Sequence, residues 1–345
     1  MKVSKKVNAA RRSLMRGLTK NVGKSQAGAF VQKNITIKKI LISRPNHRLG
    51  NLLLLSPLVQ EVSETFPNAK IDLFVKGGIT PIIYKNYRNI DRIIQLPKKP
   101  FSSLLQYVKG WATLKSRKYD LVINASYGSS SGKLSTSTAR GEYKVFGETT
   151  AELQSKFSDY RHAAKNSIYS LRNFLTNLGI NRFTAKIPDL DIKLDQKEIE
   201  EGKRKLQDLV KNDKKSICLF TNATGAKCYS EEWWNAFYEK LKNAFPNYNI
   251  VELLPVENIS KINFRAPSFY SKDIREMGGF ITNCEVFIAA DNGVMHLASA
   301  VNTPTVGLFM VTEEEVYKPY NKGSFSVNTN ERSTDEIIGF LKEIL

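Results

Sequence analysis

The stretch that most restricts how this chain can fold is Val286–Phe309, VFIAADNGVMHLASAVNTPTVGLF. Val286–Ala290 is an unbroken apolar run of strand length. Asp291, Asn292 and Gly293 interrupt it with turn chemistry. Val294, Leu297, Ala298 and Val301 then recur at spacings of three and four, the period of a helix with one buried face. Thr303-Pro304 ends that helix, and Thr305–Phe309 reads as a second buried strand. Strand–turn–helix–strand is the unit of a parallel α/β sheet. Ligands of such sheets bind beyond the carboxyl ends of the strands, which is where Asp291–His296 would sit. The amides of Asn292 and Gly293 and the helix dipole favour an anion there. His296, one turn in, is placed to donate to the same anion.

The rest of the chain repeats this alternation. Lys39–Ser43, Ile71–Val75, Asp120–Asn124, Ser216–Thr221 and Asn249–Leu254 read as strands, with a strand-like IIQL near Leu96. Asn51–Phe66 reads as one helix, with Leu52, Leu55, Val59, Val62 and Phe66 on one face and Pro57 tolerated in an early turn. Phe101–Lys118 is a helix with Leu104, Leu105, Val108, Trp111 and Leu114 as its buried face. Tyr127–Arg140 is a loop rich in Ser, Thr and Gly; it could bind sugar hydroxyls or phosphate through Lys133, or be a plain surface loop. Further helices fall at Ile168–Leu178, Gln196–Val210, the stretch ending at Phe245, and Ile274–Cys284. Ser333-x-x-Glu336 is a capping box that opens the last one. Ala185–Leu194, with Pro188, reads as a linker. The expected division is a basic arm (1–35), an α/β domain (36–185), a second α/β domain (186–330) and a C-terminal helix (331–345).

A length of 345 residues suits two cores rather than one. No run of about eighteen apolar residues is present, so no transmembrane helix is expected. The basic N-terminus lacks the apolar centre of a secretory signal. Cys218, Cys228 and Cys284 form neither a metal pattern nor a disulfide framework, which suits a reducing cytosol. The net charge of +19 implies an anionic partner: nucleic acid, anionic lipid and phosphorylated glycolipid all qualify. No RNP aromatic string, helix-turn-helix or zinc finger supports specific nucleic-acid binding. The first sixty residues contain no Asp or Glu, and within them Val3, Val7, Ala10, Leu14 and Leu18 recur at helical spacing. That is the pattern of an interfacial helix on an inner-membrane surface. A partly disordered basic arm, or a helix docked on the body, fits the same residues.

Asp291-x-Gly293-x-x-His296, with Leu297-Ala298 and Thr303-Pro304 behind it, resembles the C-terminal signature of glycosyltransferase family 9, the family of the lipopolysaccharide heptosyltransferases. HRLGNLLLLSPL (His47–Leu58), followed by FPNAKIDLFV (Phe66–Val75), resembles the family's N-terminal signature, and DLVIN (Asp120–Asn124) is like its YDLVID segment. The resemblance implies a GT-B architecture: two Rossmann-like α/β domains facing across a cleft, the first for the acceptor and the second for the donor. It also implies an inverting, metal-independent glycosyltransferase that needs no cofactor. Its donor would be a nucleotide-diphosphate sugar, ADP-heptose by family precedent. Its acceptor would be an anionic glycolipid, a lipopolysaccharide core or lipid-linked glycan, and it would work in the cytoplasm, peripheral at the inner face of the membrane. No Gly-x-Gly-x-x-Gly follows the first strand, so a dinucleotide oxidoreductase is not expected.

Such a transfer has two chemical demands. The leaving diphosphate must be stabilised by cations or helix N-termini. By resemblance Lys227, in KCYSEEWW, is a diphosphate ligand, with Thr224 and the Gly225 amide beside it. Asn292, Gly293 and His296 would complete the anion site, Asp291 would cap the helix or orient His296, and Glu257 is a candidate for a ribose hydroxyl. The acceptor hydroxyl must also lose a proton to a carboxylate or histidine. The family places an Asp directly after the Gly, as the proposed base; here that position is Asn51, which cannot accept the proton. Three readings stay open: a relocated base such as His47, an acceptor activated in another way, or a non-catalytic protein that binds nucleotide sugar or glycolipid. Arg48 and Gly50, on the same loop, join Lys133 as acceptor candidates.

Overall fold

The computed structural model describes residues 35–99, 103–126, 128–147 and 150–345, together with the isolated positions 13, 17, 19, 22 and 23. The basic arm expected over 1–35 therefore lies almost wholly outside the described residues. Among the described residues no helix is long and apolar enough to cross a membrane.

The chain forms two compact units. The first holds a five-stranded sheet of β1 (Lys39–Arg44), β2 (Lys70–Lys76), β3 (Ile90–Leu96), β4 (Lys118–Asn124) and β5 (Arg140–Val145), in the order β3-β2-β1-β4-β5. Every pairing in it is parallel. Ile40, Leu41 and Ile42 of β1 are fully buried in succession, as both faces of a parallel sheet demand. Arg172 lies buried in this unit and grips Glu61 through two bonds, Nε–Oε1 at 2.9 Å and Nη2–Oε2 at 2.7 Å.

The second unit holds six parallel strands: β6 (Ser216–Phe220), β7 (Asn249–Leu254), β8 (Ser268–Tyr270), β9 (Val286–Ala290), β10 (Thr305–Phe309) and β11 (Phe325–Asn328). Their order is β11-β10-β9-β6-β7-β8. Trp234, Phe237 and Leu241 of the Glu231–Ala244 helix pack on Ile217, Ile288 and Val306 of the sheet. Ile337, Ile338 and Leu341 of the Thr334–Ile344 helix join the same core, so this last helix is a layer of the second unit rather than an appendage. Both units are thus parallel-sheet α/β folds, the expected fold class.

Several local expectations change. Arg48–Ser56 and Pro81–Tyr87 group with the second unit, so a contiguous division at residue 185 does not describe the packing; the passage from Pro188 to Asp189 falls in the Ala185–Leu194 coil. The Asn51–Phe66 helix is two helices, Leu49–Leu53 and Ser56–Thr65. Pro57 cannot donate to the Leu53 carbonyl and its ring would crowd it. The Ser56 hydroxyl takes that carbonyl instead, at 2.8 Å. The Tyr127–Arg140 loop contains a helix, Ser130–Thr138, capped by Ser129, whose Oγ accepts from Gly132 N at 3.1 Å. Its buried face is small and polar (Gly132, Ser135, Thr136), which hydrophobic periodicity does not register. The Leu104–Ser116 helix buries Gly110 and Leu114 but leaves Leu104, Leu105 and Val108 exposed.

Candidate active site

In the second sheet β6 and β9 are neighbours from which the strand order runs in opposite directions, β9 toward β10 and β11, β6 toward β7 and β8. The loops leaving two such strands diverge and leave a crevice at their carboxyl ends. Those loops are Thr221–Ser230 and Asp291–Asn292. Sheet order therefore brings Lys227 to Asp291 across 64 positions of sequence, Nζ to Oδ2 at 2.5 Å. Thr312, from the loop after β10, donates its hydroxyl to the same carboxylate oxygen at 2.7 Å. His296 Nε2 stands 3.9 Å from the other oxygen, within ion-pair reach but beyond a hydrogen bond. Asp291 and His296 are buried, whereas the Lys227 side chain remains 34% exposed. One cation thus faces solvent with a buried carboxylate holding it from behind.

Asn292, not Asp291, caps the Gly293–Ser299 helix. Its Oδ1 accepts from Val294 N at 2.8 Å and Met295 N at 2.9 Å. Its Nδ2 donates to the Asn222 carbonyl at 3.1 Å, joining the loop after β9 to the loop after β6. Two amides that an anion at this helix start would use are therefore already engaged. A carboxamide suits the cap better here, because Asp291 is committed to Lys227. The positive charge of the crevice comes from Lys227 more than from the helix start.

The other end of the chain meets the same place within this unit. The Leu49–Leu53 helix packs on Gly293–Ser299 with almost no clearance. A Cβ on Gly50 would lie 2.7 Å from His296 Cδ2, and one on Gly293 would lie 3.0 Å from Leu49 Cβ and 3.2 Å from Gly50 N. Gly50 allows this close approach, and a side chain at Gly293 would require Leu49 and the Gly50 backbone to give by a few tenths of an ångström. Tyr84 holds the short helix from outside, its hydroxyl donating to the Leu52 carbonyl at 2.8 Å. Asn51 is half-buried in the first turn, next to the contact between Gly50 and His296. Arg48 is exposed at the cap position, with no side-chain cap bond. The two signature segments, HRLGN and DNGVMH, are thus a single packed contact from Arg48 onward.

Thr224 and Gly225 are exposed beside Lys227, at a 3-10 turn over Gly225–Lys227. Glu257 is exposed in the segment after β7, and nothing there marks it as a nucleoside contact. The carboxylate that sequence reasoning missed is Glu252, inside β7. It is fully buried and accepts from Thr221 Oγ1 and Ser260 Oγ, both at 2.6 Å, so it braces the loops after β6 and β7 together. Burial pushes its carboxyl above the usual carboxylate range, against the two hydroxyl bonds. An acid inside the apolar run NIVELL was its signal. His47 and Lys133 belong to the first unit, where His47 is exposed and Lys133 half-buried on the Ser130–Thr138 helix. Among the described residues no group of three or more His, Cys, Asp or Glu could hold a metal ion.

The family model of glycosyltransferase family 9 (heptosyltransferase) matches residues 271–337, which include Asp291–His296 and Thr312. Lipopolysaccharide heptosyltransferase 3 of Escherichia coli (strain K12) is 22% identical over 291 residues, covering 79% of this chain and 83% of its own. In three dimensions the chain is similar to a family 9 glycosyl transferase from Veillonella parvula (TM-score 0.67, 17% identity, 89% of this chain and 90% of that one). It is also similar to the E. coli heptosyltransferase WaaC with ADP (TM-score 0.65, 17% identity, 89% and 100%). These likenesses support the fold.

Proposed function

We propose that the chain is a heptosyltransferase-like glycosyltransferase of family 9, and that it transfers a heptose from ADP-heptose, with inversion and without a resident metal. The acceptor we propose is an anionic glycolipid, a lipopolysaccharide core or lipid-linked glycan, met at the inner face of the cytoplasmic membrane. The observation that carries this reading is the Lys227–Asp291 pair at the sheet's switch point, packed beside the Leu49–Leu53 helix. The acceptor hydroxyl oxygen bonds to the anomeric carbon from the face opposite the diphosphate. The carbon–oxygen bond to the diphosphate breaks, and its electron pair leaves with the phosphate. Lys227, turning from Asp291 toward the phosphates, neutralises the growing charge. The Thr224 hydroxyl and Gly225 amide assist it.

The hydroxyl proton passes to a group other than Asn51. His47, next to Arg48 in the chain, is the first candidate. His296 is the second, favoured by its contact with Gly50 and by Asp291 behind it. The test is ADP release from ADP-heptose in the presence of truncated lipopolysaccharide cores, with product mass rising by one heptosyl unit. A pH–rate limb in which turnover falls as the base is protonated is expected, lost in whichever of His47→Gln and His296→Gln removes the base. Asn51→Asp is expected to raise turnover little. If the parent transfers nothing and Asn51→Asp gains the roughly 100- to 10,000-fold of general-base catalysis, the relocated base is wrong. A thermal shift with nucleotide sugar but no transfer by either protein would instead establish the non-catalytic, binding reading.

A further inference from the structure

The Leu104–Ser116 helix leaves its apolar face uncovered. Leu104, Leu105 and Val108 are 60%, 90% and 57% exposed. At about 100° per residue these three and Ala112 form one stripe along the helix. The opposite side is the buried one: Leu114 packs in the cluster of Leu41, Phe74 and Leu96, and Gly110 lies against Leu96. Apolar side chains exposed singly are ordinary, but a contiguous stripe on one helix is an interaction surface. Exposed lysines lie on the helix and on either side of it in the chain: Lys109 and Lys115 within it, Lys98 and Lys99 before it, and Lys118 after it. No Asp or Glu occurs between Lys98 and Tyr119. Arg117 is drawn inward, to Asp72 at 2.8 Å and Asp91 at 3.3 Å.

An apolar stripe in a cationic rim fits an anionic bilayer. The leucines and valine enter the boundary between headgroups and acyl chains, and the lysines meet the phosphates. Charge disfavours the other occupants. Residues 1–34 carry no acid and many Lys and Arg, so they would repel this rim. A second copy would set the same basic rim against itself. We propose that the Leu104–Ser116 helix docks the first unit on a membrane surface bearing anionic phospholipid headgroups. This goes beyond the transfer reaction and does not depend on the donor, and it is separate from any contact made by the arm.

The test is sedimentation of the full chain, without substrates, with vesicles of phosphatidylethanolamine and phosphatidylglycerol, and with phosphatidylcholine alone as control. The parent is expected to partition onto the anionic vesicles and little onto the control. Leu105→Gln/Val108→Gln should weaken that partition roughly tenfold, as loss of buried apolar area implies. Lys109→Gln/Lys115→Gln should weaken it most at low salt. All these side chains are exposed, so melting temperatures should stay at the parent value. Parent-like partition by both variants would overturn the proposal, as would a parent dimer that the apolar variant dissolves into monomers. Because no sugar nucleotide is present, failure of the transferase reading would leave this result standing.

Discussion

Lys227 and Asp291 are one unit of charge, and their substitutions should behave as such. Asp291 is buried, so Lys227→Ala removes both the proposed phosphate ligand and the counter-charge of a buried carboxylate. The first loss is expected to lower kcat/KM by about 100-fold, or about 3 kcal/mol. The second should destabilise the protein, because a buried charge is left unpaired. The Lys227→Ala/Asp291→Asn double variant should recover much of the stability and none of the activity. Chemical denaturation and ADP-release kinetics on the four proteins of this cycle separate the two effects. Additive stability changes would mean that the pair is not coupled, and normal turnover in Lys227→Ala would remove it from the site. Asn51 poses the complementary case: it keeps the shape of a carboxylate at the helix start without its basicity, so in the proposed reaction it orients the acceptor hydroxyl rather than taking its proton.

At the scale of elements, the contact between the Leu49–Leu53 and Gly293–Ser299 helices should be the most sensitive spot in the site. In Gly50→Ala the new methyl would meet His296 Cδ2 at 2.7 Å, so the imidazole or the whole short helix must shift. Overpacking of this kind costs about 1–3 kcal/mol. Activity is expected to fall further than stability, since His296 and Asn51 both move. A fully active, normally stable Gly50→Ala would show that the contact is loose. This contact also marks where the sequence stopped being informative. Val286–Ala290, Thr305–Phe309 and Asn249–Leu254 were legible to the residue, because buried parallel strands are short apolar runs ended by turn chemistry. β5, RGEYKV, was not, because an edge strand with polar side chains carries no such run. The exposed Leu104 stripe was misread because periodicity shows which face is apolar and not whether anything covers it. Both signature segments were recognisable as strings. Their mutual packing was not, nor was the reach of Lys227 to Asp291, because those contacts follow from strand order rather than from local pattern.

At the scale of the molecule, each unit is closed by an ion pair of its own. In the first unit Arg172 and Glu61 are fully buried, and Arg172 also donates to the Ala185 carbonyl at 2.7 Å. Arg172→Ala leaves the buried Glu61 carboxylate to Arg182, whose Nε lies 3.2 Å from Oε1, and should cost up to about 3–5 kcal/mol, read from urea denaturation with Trp111 as the local reporter. In the second unit Arg275 binds both oxygens of Glu198 at 2.6 Å and donates to the carbonyls of Ile192 and Lys193 at 2.9 Å. It thereby pins the entry of the chain into this unit. The Arg275 hydrogen bonds, helped by the Asp195 amide and Lys85, hold the Glu198 carboxyl down at about 2, from an ordinary 4.5. A carboxyl more acidic in the folded state stabilises above its unfolded value and loses that contribution as pH falls through its folded value. The window is therefore from about pH 4.5 down to about 2. Glu198 is partly exposed and solvent screens the pair, so the loss should be smaller than the pKa difference alone would imply. In Glu198→Gln, the second unit should be less stable at pH 7, and its stability should fall less steeply between pH 5 and pH 3. Urea midpoints at these three pH values, followed through Trp233 and Trp234, measure both effects. Parallel pH slopes in parent and variant would show that another carboxylate carries the acid sensitivity of this unit.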